Sequence, residues 1–345
     1  MSALSMKRLP LSSLSAVIVD DCVFVLTKNG KRLTLLLLDI NSGITDKFAS
    51  FKGSKGFILG VKESGFLICI DDKVYLVRND GCEVVLKSQN PENTFWHLTE
   101  ADGKIFVQEY GQSPTGIYIS KDLESWRKVI TNIELDKCSK HFHYIAWDPY
   151  RRWLIATLGD GCLTRVVYSE DLGQSWKPLY RGAWQFVPIV PLKDEIVLGM
   201  DSGIAKGGVG IYYPSRACWD FIFLRWYDKN VRFIQMCDLM YVNGRFWVAS
   251  LGTPQALIIS RNLRDWHVIH FLGGNEAFNP YMRLGEGNNF MVCSTGNNLL
   301  VIEKSELDSF TETQTVVKQY DGYLDRLKGY GFSLKRKFLE LSTLR

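Results

Sequence analysis

Four tryptophans recur at nearly equal intervals, each shortly after an apolar run. Trp126, Trp176, Trp219 and Trp266 are separated by 50, 43 and 47 residues. The runs before them are rich in β-branched and aromatic residues, are too short for helices, and end at turn-forming Gly, Asp, Asn or Pro. A repeat of about 45 residues built from short strands is typical of four-stranded propeller blades. The spacing therefore predicts an all-β chain of repeated antiparallel sheets.

One repeat can be followed completely between residues 140 and 182. Strands are predicted at 145–147, 153–158 and 164–168, separated by Asp-Pro and Gly-Asp-Gly turns, with a short fourth strand after Trp176. Applied to the whole chain, this scheme predicts a seven-bladed β-propeller over residues 1–320, with six blades as the alternative. We expect a lead-in before residue 15 and a last strand of the seventh blade near 313–319.

The C-terminal segment, residues 321–345, has a different composition. Leucines and a phenylalanine at helical spacing alternate with lysines and arginines. This pattern predicts a short basic amphipathic C-terminal helix. The helix would either pack on the rim of the propeller or, through residues 323–345, contact a protein or a membrane surface.

Composition limits the class of protein and its partners. A formal charge of +4, dispersed along 345 residues, gives no basic patch for nucleic acid. The eight cysteines form no C-x-x-C pair, and no secretion signal is visible. We therefore expect reduced thiols, a cytoplasmic location and no nucleic-acid partner.

Polar and aromatic residues recur at equivalent positions of the predicted blades. In a propeller, the starts of the first strands and the ends of the second strands converge on one channel mouth. The first-strand residues are Trp96, His97, His141, His143, Tyr144, Trp184, Gln185, Arg232, Asn279, Tyr281 and Arg283. The second-strand residues include Tyr110, Asp160 and Asp201. We predict that these residues form the site.

The complete repeat also carries a recognisable motif. Ser169-x-Asp171-x-Gly173-x-x-Trp176 resembles the Asp-box (BNR) turn of sialidase-like β-propellers, and shorter versions occur at 120–126 and 260–266. The pattern H-x-H, D-P-Y and T-x-G-D before it resembles a branch of that superfamily often labelled exo-sialidase-like. In that family the Ser and Asp side chains bond the backbone of the turn, and the Trp packs under it.

The resemblance implies a carbohydrate ligand and, in an enzyme, a lyase or glycoside hydrolase. A lyase acting on uronic acids needs a base, an acid and a cation that neutralises the carboxylate. The base would be His143 or His97, the acid Tyr144 or Tyr281, and the cation Arg232 or Arg283. Trp96, His97, His141, Trp184, Gln185, Asp201 and Asn279 would bind substrate, while Trp96 and Trp184 could instead fill space between blades.

Other functions remain open at this point. Asp160 and Asp201 could form the carboxylate pair of a glycoside hydrolase, although Gly-Asp-Gly is also a simple tight turn. Hydrolysis of sialic acid is not expected, because the sequence has no Phe-Arg-Ile-Pro motif near its start. His-x-His suggests a metal, but the sequence shows no third ligand, so we expect neither metal nor cofactor. The alternative to an enzyme is a non-catalytic propeller that presents a surface to protein or glycan partners.

Overall fold

The protein is a seven-bladed β-propeller, as the spacing of the tryptophans predicts. Its computed structural model describes residues 6–20, 22–40, 42–43, 45–62, 64–161, 163–201, 207–228, 231, 233–273, 278–310, 315–320 and 334. The described strands form seven four-stranded antiparallel sheets, to which one further strand is added.

Short strands and very short helices make up the described part of the chain. The strands are β1 (Met6–Leu9), β2 (Ser13–Val19), β3 (Cys22–Asn29), β4 (Arg32–Leu38), β5 (Thr45–Lys52), β6 (Gly56–Lys62), β7 (Gly65–Ile70), β8 (Lys73–Arg78), β9 (Gly81–Lys87), β10 (Thr94–Ala101), β11 (Lys104–Tyr110), β12 (Gly116–Ser120), β13 (Arg127–Thr131), β14 (His141–Asp148), β15 (Trp153–Gly159), β16 (Thr164–Ser169), β17 (Lys177–Arg181), β18 (Phe186–Pro191), β19 (Ile196–Met200), β20 (Gly208–Tyr213), β21 (Cys218–Trp226), β22 (Gln235–Val242), β23 (Phe246–Thr253), β24 (Gln255–Ser260), β25 (Trp266–Gly273), β26 (Arg283–Glu286), β27 (Phe290–Ser294), β28 (Leu299–Glu303) and β29 (Thr315–Tyr320). The α-helices are α1 (Asn132–Leu135) and α2 (Lys304–Ser309), and a 3-10 turn spans Pro214–Arg216.

The chain divides into two compact units. The first unit comprises Met1–Phe95 and Cys237–Val317, and the second comprises Trp96–Met236 and Lys318–Arg345. Sheets β2–β5 and β6–β9 lie in the first unit, and sheets β14–β17 and β18–β21 lie in the second. Apolar side chains from neighbouring strands pack into separate buried clusters within each unit.

Strand β1 (Met6–Leu9) lies within the segment before residue 15 that the sequence predicts as a lead-in to the first blade. Strand β1 pairs antiparallel with β28, with Met6 opposite Ile302 and Leu9 opposite Leu299. It is the fourth strand of the sheet formed by β26, β27 and β28. This place was assigned from the sequence to residues near 313–319, but β29 pairs with β25 instead, with Val317 opposite Trp266. Pairing the first strand with the last sheet satisfies backbone groups that would otherwise form an open edge.

The turn at residues 169–176 is held by its own side chains. Ser169 Oγ accepts a hydrogen bond from the Gly173 amide (2.7 Å), and Asp171 Oδ1 accepts one from the Ser175 amide (2.8 Å). The Trp176 indole donates to the Gly173 carbonyl (3.1 Å). Gly173 has φ = +89°, a conformation that costs glycine little. Side-chain hydrogen bonds and a left-handed glycine therefore hold this turn in place.

The two shorter turns use leucine in place of glycine. Leu123 and Leu263 have φ of +68° and +65°. The Leu123 amide donates to Ser120 Oγ (2.9 Å), and the Trp126 indole donates to the Leu123 carbonyl (2.9 Å). Trp266 makes the equivalent bond to the Leu263 carbonyl (2.8 Å). A left-handed leucine costs roughly 1–2 kcal/mol, which these side-chain bonds offset.

The structure also bears on the expectations for the cysteines and for the C-terminal segment. All described cysteines are free, but only Cys69, Cys237 and Cys293 are buried, whereas Cys22 and others are exposed. Apart from the exposed Leu334, the predicted C-terminal helix at 321–345 lies outside the described residues. Among the residues described, no helix combines the length and hydropathy that crossing a membrane requires.

Candidate active site

Two buried histidines at the start of β14 form the centre of the candidate site, in the second unit. The side chains of His141 and His143 approach to 3.1 Å between their Nε2 atoms, and the residues are 3% and 5% exposed. The register between β14 and β15 shifts between Phe142 and Tyr144, so that His143 is the extra residue of a β-bulge. Bulges re-aim side chains beside functional sites.

Gly159 makes room for the second imidazole. A Cβ atom at Gly159 would lie 1.9 Å from His143 Nε2 and 2.3 Å from its Cδ2. Strand β15 pairs Gly159 with His141, so both histidines meet this glycine from the neighbouring strand. A side chain at position 159 is therefore incompatible with the observed position of the His143 ring.

Burial keeps both imidazoles uncharged. Desolvation, together with the neighbouring His141 and Arg165, lowers the pKa of His143 to about 3. Desolvation also lowers the pKa of His141, although the Gly111 carbonyl opposes this by accepting a hydrogen bond from His141 Nδ1 (2.8 Å). At neutral pH both rings offer lone pairs rather than positive charge.

Asp160 places a carboxylate beside the two histidines. Its carboxylate and the ring nitrogens of His141 and His143 lie within 4.8 Å of one another. Burial by itself would raise the pKa of Asp160, but His143, His141, Lys140 and a hydrogen bond from Gln185 reverse the shift, and the net direction is downward. The side-chain Nε2 of Gln185 donates a hydrogen bond to Asp160 Oδ1 (3.2 Å). Asp160 is thus an oriented, ionised carboxylate.

A second carboxylate follows in the next sheet. The Asp201 amide donates to the Gln185 carbonyl (2.9 Å), and Asp201 Oδ1 accepts a hydrogen bond from Gln235 Nε2 (2.6 Å). Burial, with a contribution from the charge of Asp160, raises the pKa of Asp201 to about 6 against the opposing effect of the Gln235 hydrogen bond. The carboxylate is enclosed, although part of the residue remains accessible.

Partly exposed aromatic residues adjoin the histidines. The rings of His97 and Tyr144 have centroids 3.8 Å apart, and those of Tyr110 and His141 are 4.2 Å apart. Trp96 packs on Tyr110 at 4.2 Å. These residues keep part of their surface accessible, in contrast to His141 and His143. They offer apolar ring faces beside polar atoms, which suits a sugar ligand.

A buried cation also lies close to His143. Arg165 is fully buried, its Nε donates to the Gly182 carbonyl (3.1 Å), and its charge contributes to the low pKa of His143. The sequence analysis did not single it out, because an arginine inside strand β16 carries no motif. Tyr110 lies at the end of a second strand, a position equivalent to that of Asp160, and the sequence placed it among the second-strand candidates without giving it a role.

The structure brings together only part of the predicted site. Trp96, His97, His141, His143, Tyr144, Asp160, Gln185 and Asp201 are linked by contacts within the second unit. Trp184 is 5% exposed and packs against Phe223 (5.3 Å between centroids), so it fills core space and presents no open face to a sugar.

Four predicted residues are not among those described in the second unit. Asn279, Tyr281 and Arg283 belong to the first unit, and Arg232 lies outside the described residues. Asn279 Nδ2 donates to the Thr295 carbonyl (2.9 Å), and Tyr281 stacks on Phe57. The guanidinium of Arg283 also lies over the Phe57 ring, 5.7 Å from its centroid. Their part in the site stays a prediction.

Comparison with known proteins adds information about the fold. No family model matches the chain, and no curated protein has a significantly similar sequence. A virginiamycin B lyase from Staphylococcus aureus superposes with a TM-score of 0.61 at 9% identity, over 87% of this chain and 99% of that one. YCF48 from Cyanidioschyzon merolae gives 0.59 at 12% identity, over 87% and 99%. An oligogalacturonate lyase in complex with manganese gives 0.54 at 10% identity, over 89% and 100%.

These structures are similar to the present chain along most of its length. At identities of 9–12% the similarity shows a shared backbone architecture alone. The comparisons therefore establish a β-propeller fold.

Proposed function

We propose that this chain is a glycan-directed propeller enzyme, related to the sialidase-like superfamily, that cleaves uronic-acid-containing polysaccharides by β-elimination. The observation that carries this proposal is the contact between His97 and Tyr144, whose ring centroids are 3.8 Å apart. Both side chains are partly exposed, and both stand on first strands of successive sheets, beside the buried histidine pair.

The two rings supply the groups that elimination needs. His97 takes the proton from the carbon beside the uronate carboxyl group, and Tyr144 gives a proton to the oxygen of the departing sugar. The C–H and C–O bonds break, a C=C bond forms, and the electron pair of the C–H bond becomes part of that double bond. A positioned acid or base of this kind accelerates a reaction by about 10²–10⁴-fold.

The buried histidines are poor candidates for the base, although the sequence placed His143 first. His143 is enclosed and its pKa of about 3 leaves it too weakly basic at neutral pH. The fold is compatible with elimination chemistry, since proteins named as virginiamycin B lyase and oligogalacturonate lyase share it. The Asp-box turns and the accessible Trp96 also support a carbohydrate ligand.

The test is a screen of the purified chain on uronic-acid polysaccharides, following the ultraviolet absorbance of the unsaturated product. We expect the variants His97→Ala and Tyr144→Phe to lose about 10²-fold or more in kcat. His270→Ala and the exposed Tyr150→Phe are matched controls outside the site, and they should keep wild-type rates.

Two results would contradict the proposal. One is product formation that survives both substitutions, and the other is the absence of product with every polysaccharide tested. The second result, with retained binding of a glycan or protein, would favour the non-catalytic propeller. A carbohydrate partner, a cytoplasmic location and docking through residues 323–345 are part of the same proposal.

A further inference from the structure

Two imidazoles and a carboxylate converge in the second unit. The Nε2 atoms of His141 and His143 are 3.1 Å apart. Two nitrogens bound to one Zn²⁺ at about 2.05 Å and 3.1 Å apart subtend about 98° at the ion, between the octahedral and tetrahedral angles. This separation therefore fits two ligands of a single metal.

The hydrogen bonds of the rings leave their Nε2 lone pairs facing each other. His141 Nδ1 can only donate to the Gly111 carbonyl (2.8 Å), so in the neutral ring Nε2 carries the lone pair. In His143, Nδ1 is buried without a hydrogen bond of regular geometry from any described group, while the backbone of Phe186 favours protonation of the ring. Because His143 Nε2 faces His141, Nδ1 is the nitrogen that can carry a proton toward the Phe186 carbonyl. Two facing lone pairs repel each other, and a cation bound between them would remove this repulsion.

Asp160 completes the set as an anionic oxygen ligand. The ligand atoms of the three residues lie within 4.8 Å, so closing the set around one ion moves the carboxylate by about 1.5 Å. The side chain is 48% exposed and can make this rotation. Gln185 orients the carboxylate, and the Gly111 carbonyl orients His141, as groups outside the ligand shell commonly do.

We propose that His141, His143 and Asp160 bind one divalent first-row transition-metal ion, with the remaining coordination positions open to water or ligand. Two imidazoles and one carboxylate suit Zn²⁺, Fe²⁺ or Mn²⁺ better than Ca²⁺ or Mg²⁺. This metal site is independent of the proposed lyase activity, because ion binding can be measured without a substrate. If both hold, the ion supplies the positive charge that neutralises a uronate carboxylate.

Nearby cations moderate the expected affinity. Lys140 Nζ lies 3.5 Å from Asp160 Oδ2, and the buried Arg165 acts electrostatically on His143. Both repel a bound dication, so we expect a dissociation constant in about the micromolar range. A simple hydrogen bond from His143 Nε2 to His141 Nε2 is the rival explanation of the 3.1 Å contact.

The test is equilibrium binding of Zn²⁺ and of Mn²⁺, without substrate, to chelator-treated full-length protein, by calorimetry and elemental analysis. We expect about one ion per chain, and the variants Asp160→Asn and His141→Gln should weaken binding at least 10-fold. Co²⁺ should give an absorption spectrum typical of nitrogen and oxygen ligands, which Asp160→Asn alters. Lys140→Met, which removes a repelling charge, should bind as tightly as wild type or more tightly.

Controls separate this site from others and from misfolding. A Cys22→Ser, Cys82→Ser, Cys218→Ser triple variant removes the exposed thiols of the described residues and should still bind one ion. Circular dichroism confirms that each variant is folded. The proposal is overturned if wild type binds well under one ion per chain, or if folded Asp160→Asn and His141→Gln bind as wild type does. Ion binding without product formation would count against the proposed function alone.

Discussion

Replacing Gly159 with alanine tests the position of the buried histidine pair directly. The new Cβ atom would lie 1.9 Å from His143 Nε2 and 2.6 Å from its Cε1. Ordinary contacts between such atoms are about 3.5–4.0 Å, so the ring must move by about 1.5–2 Å. Gly159 has no left-handed φ, so alanine meets no backbone strain there. The effect arises from the collision alone.

Two opposing terms set the change in stability. Forcing atoms into an enclosed site costs about 1–3 kcal/mol. Exchanging glycine for alanine stabilises by about 0.4–1 kcal/mol, because the unfolded chain loses conformational freedom. Since the ring of His143 is fully enclosed, the collision outweighs the gain, and we expect a net loss of about 1–2 kcal/mol. Displacing Nε2 by more than a few tenths of an ångström should also reduce Zn²⁺ affinity about 10²-fold or more.

The assay is urea denaturation followed by tryptophan fluorescence, together with Zn²⁺ titration. Gly81→Ala is the matched control, because Gly81 has no left-handed φ and nothing lies within 4 Å of its added Cβ. We expect this control to be neutral or slightly stabilising. If Gly159→Ala matches Gly81→Ala in unfolding free energy and keeps the Zn²⁺ affinity of wild type, the inferred position of His143 is wrong.

Two further predictions concern stability. Asp201 has a pKa raised to about 6 from 3.8 in the fold, so the folded chain binds more protons than the unfolded chain between about pH 4 and 6, and stability falls as the pH rises through that range. Asp201→Asn should remove this dependence of the unfolding free energy on pH and stabilise the protein by about 1–3 kcal/mol at pH 7. Urea denaturation of the variant at several pH values that shows the wild-type dependence would refute the prediction. Ser169→Ala removes the acceptor of the Gly173 amide and should cost about 1 kcal/mol in urea denaturation, whereas a loss below about 0.3 kcal/mol would show that the hydroxyl does not hold the turn.

Local signals predicted the repeat and its turns correctly. The spaced tryptophans and the Gly, Asp and Asn turns identified most strands, because turn chemistry depends on neighbouring residues. The seventh sheet was predicted with the wrong fourth strand. Its partner, β1, is almost 300 residues away in the chain, and no local pattern in Met6–Leu9 indicates that pairing.

The structure shows how several of the predicted site residues are placed, although local patterns selected them. His141 and His143 were found from an alternating pattern, but their burial was not, because the bulge in β14 and the space above Gly159 depend on the neighbouring strand. Trp184 was expected to have two possible roles, and only packing placed it in the core. Asp160 looked like a turn residue, and only the pairing of β14 with β15 brings it to the histidines.

The sequence by itself determined the kind of sheet, the repeat and the turns, since each depends on residues that are close along the chain. Only the tertiary structure decided which strand completes the last sheet and which of the polar residues meet. It also decided that His143 is a neutral, enclosed imidazole while His97 remains accessible. Burial and proximity in space set these properties, and sequence spacing alone does not encode them.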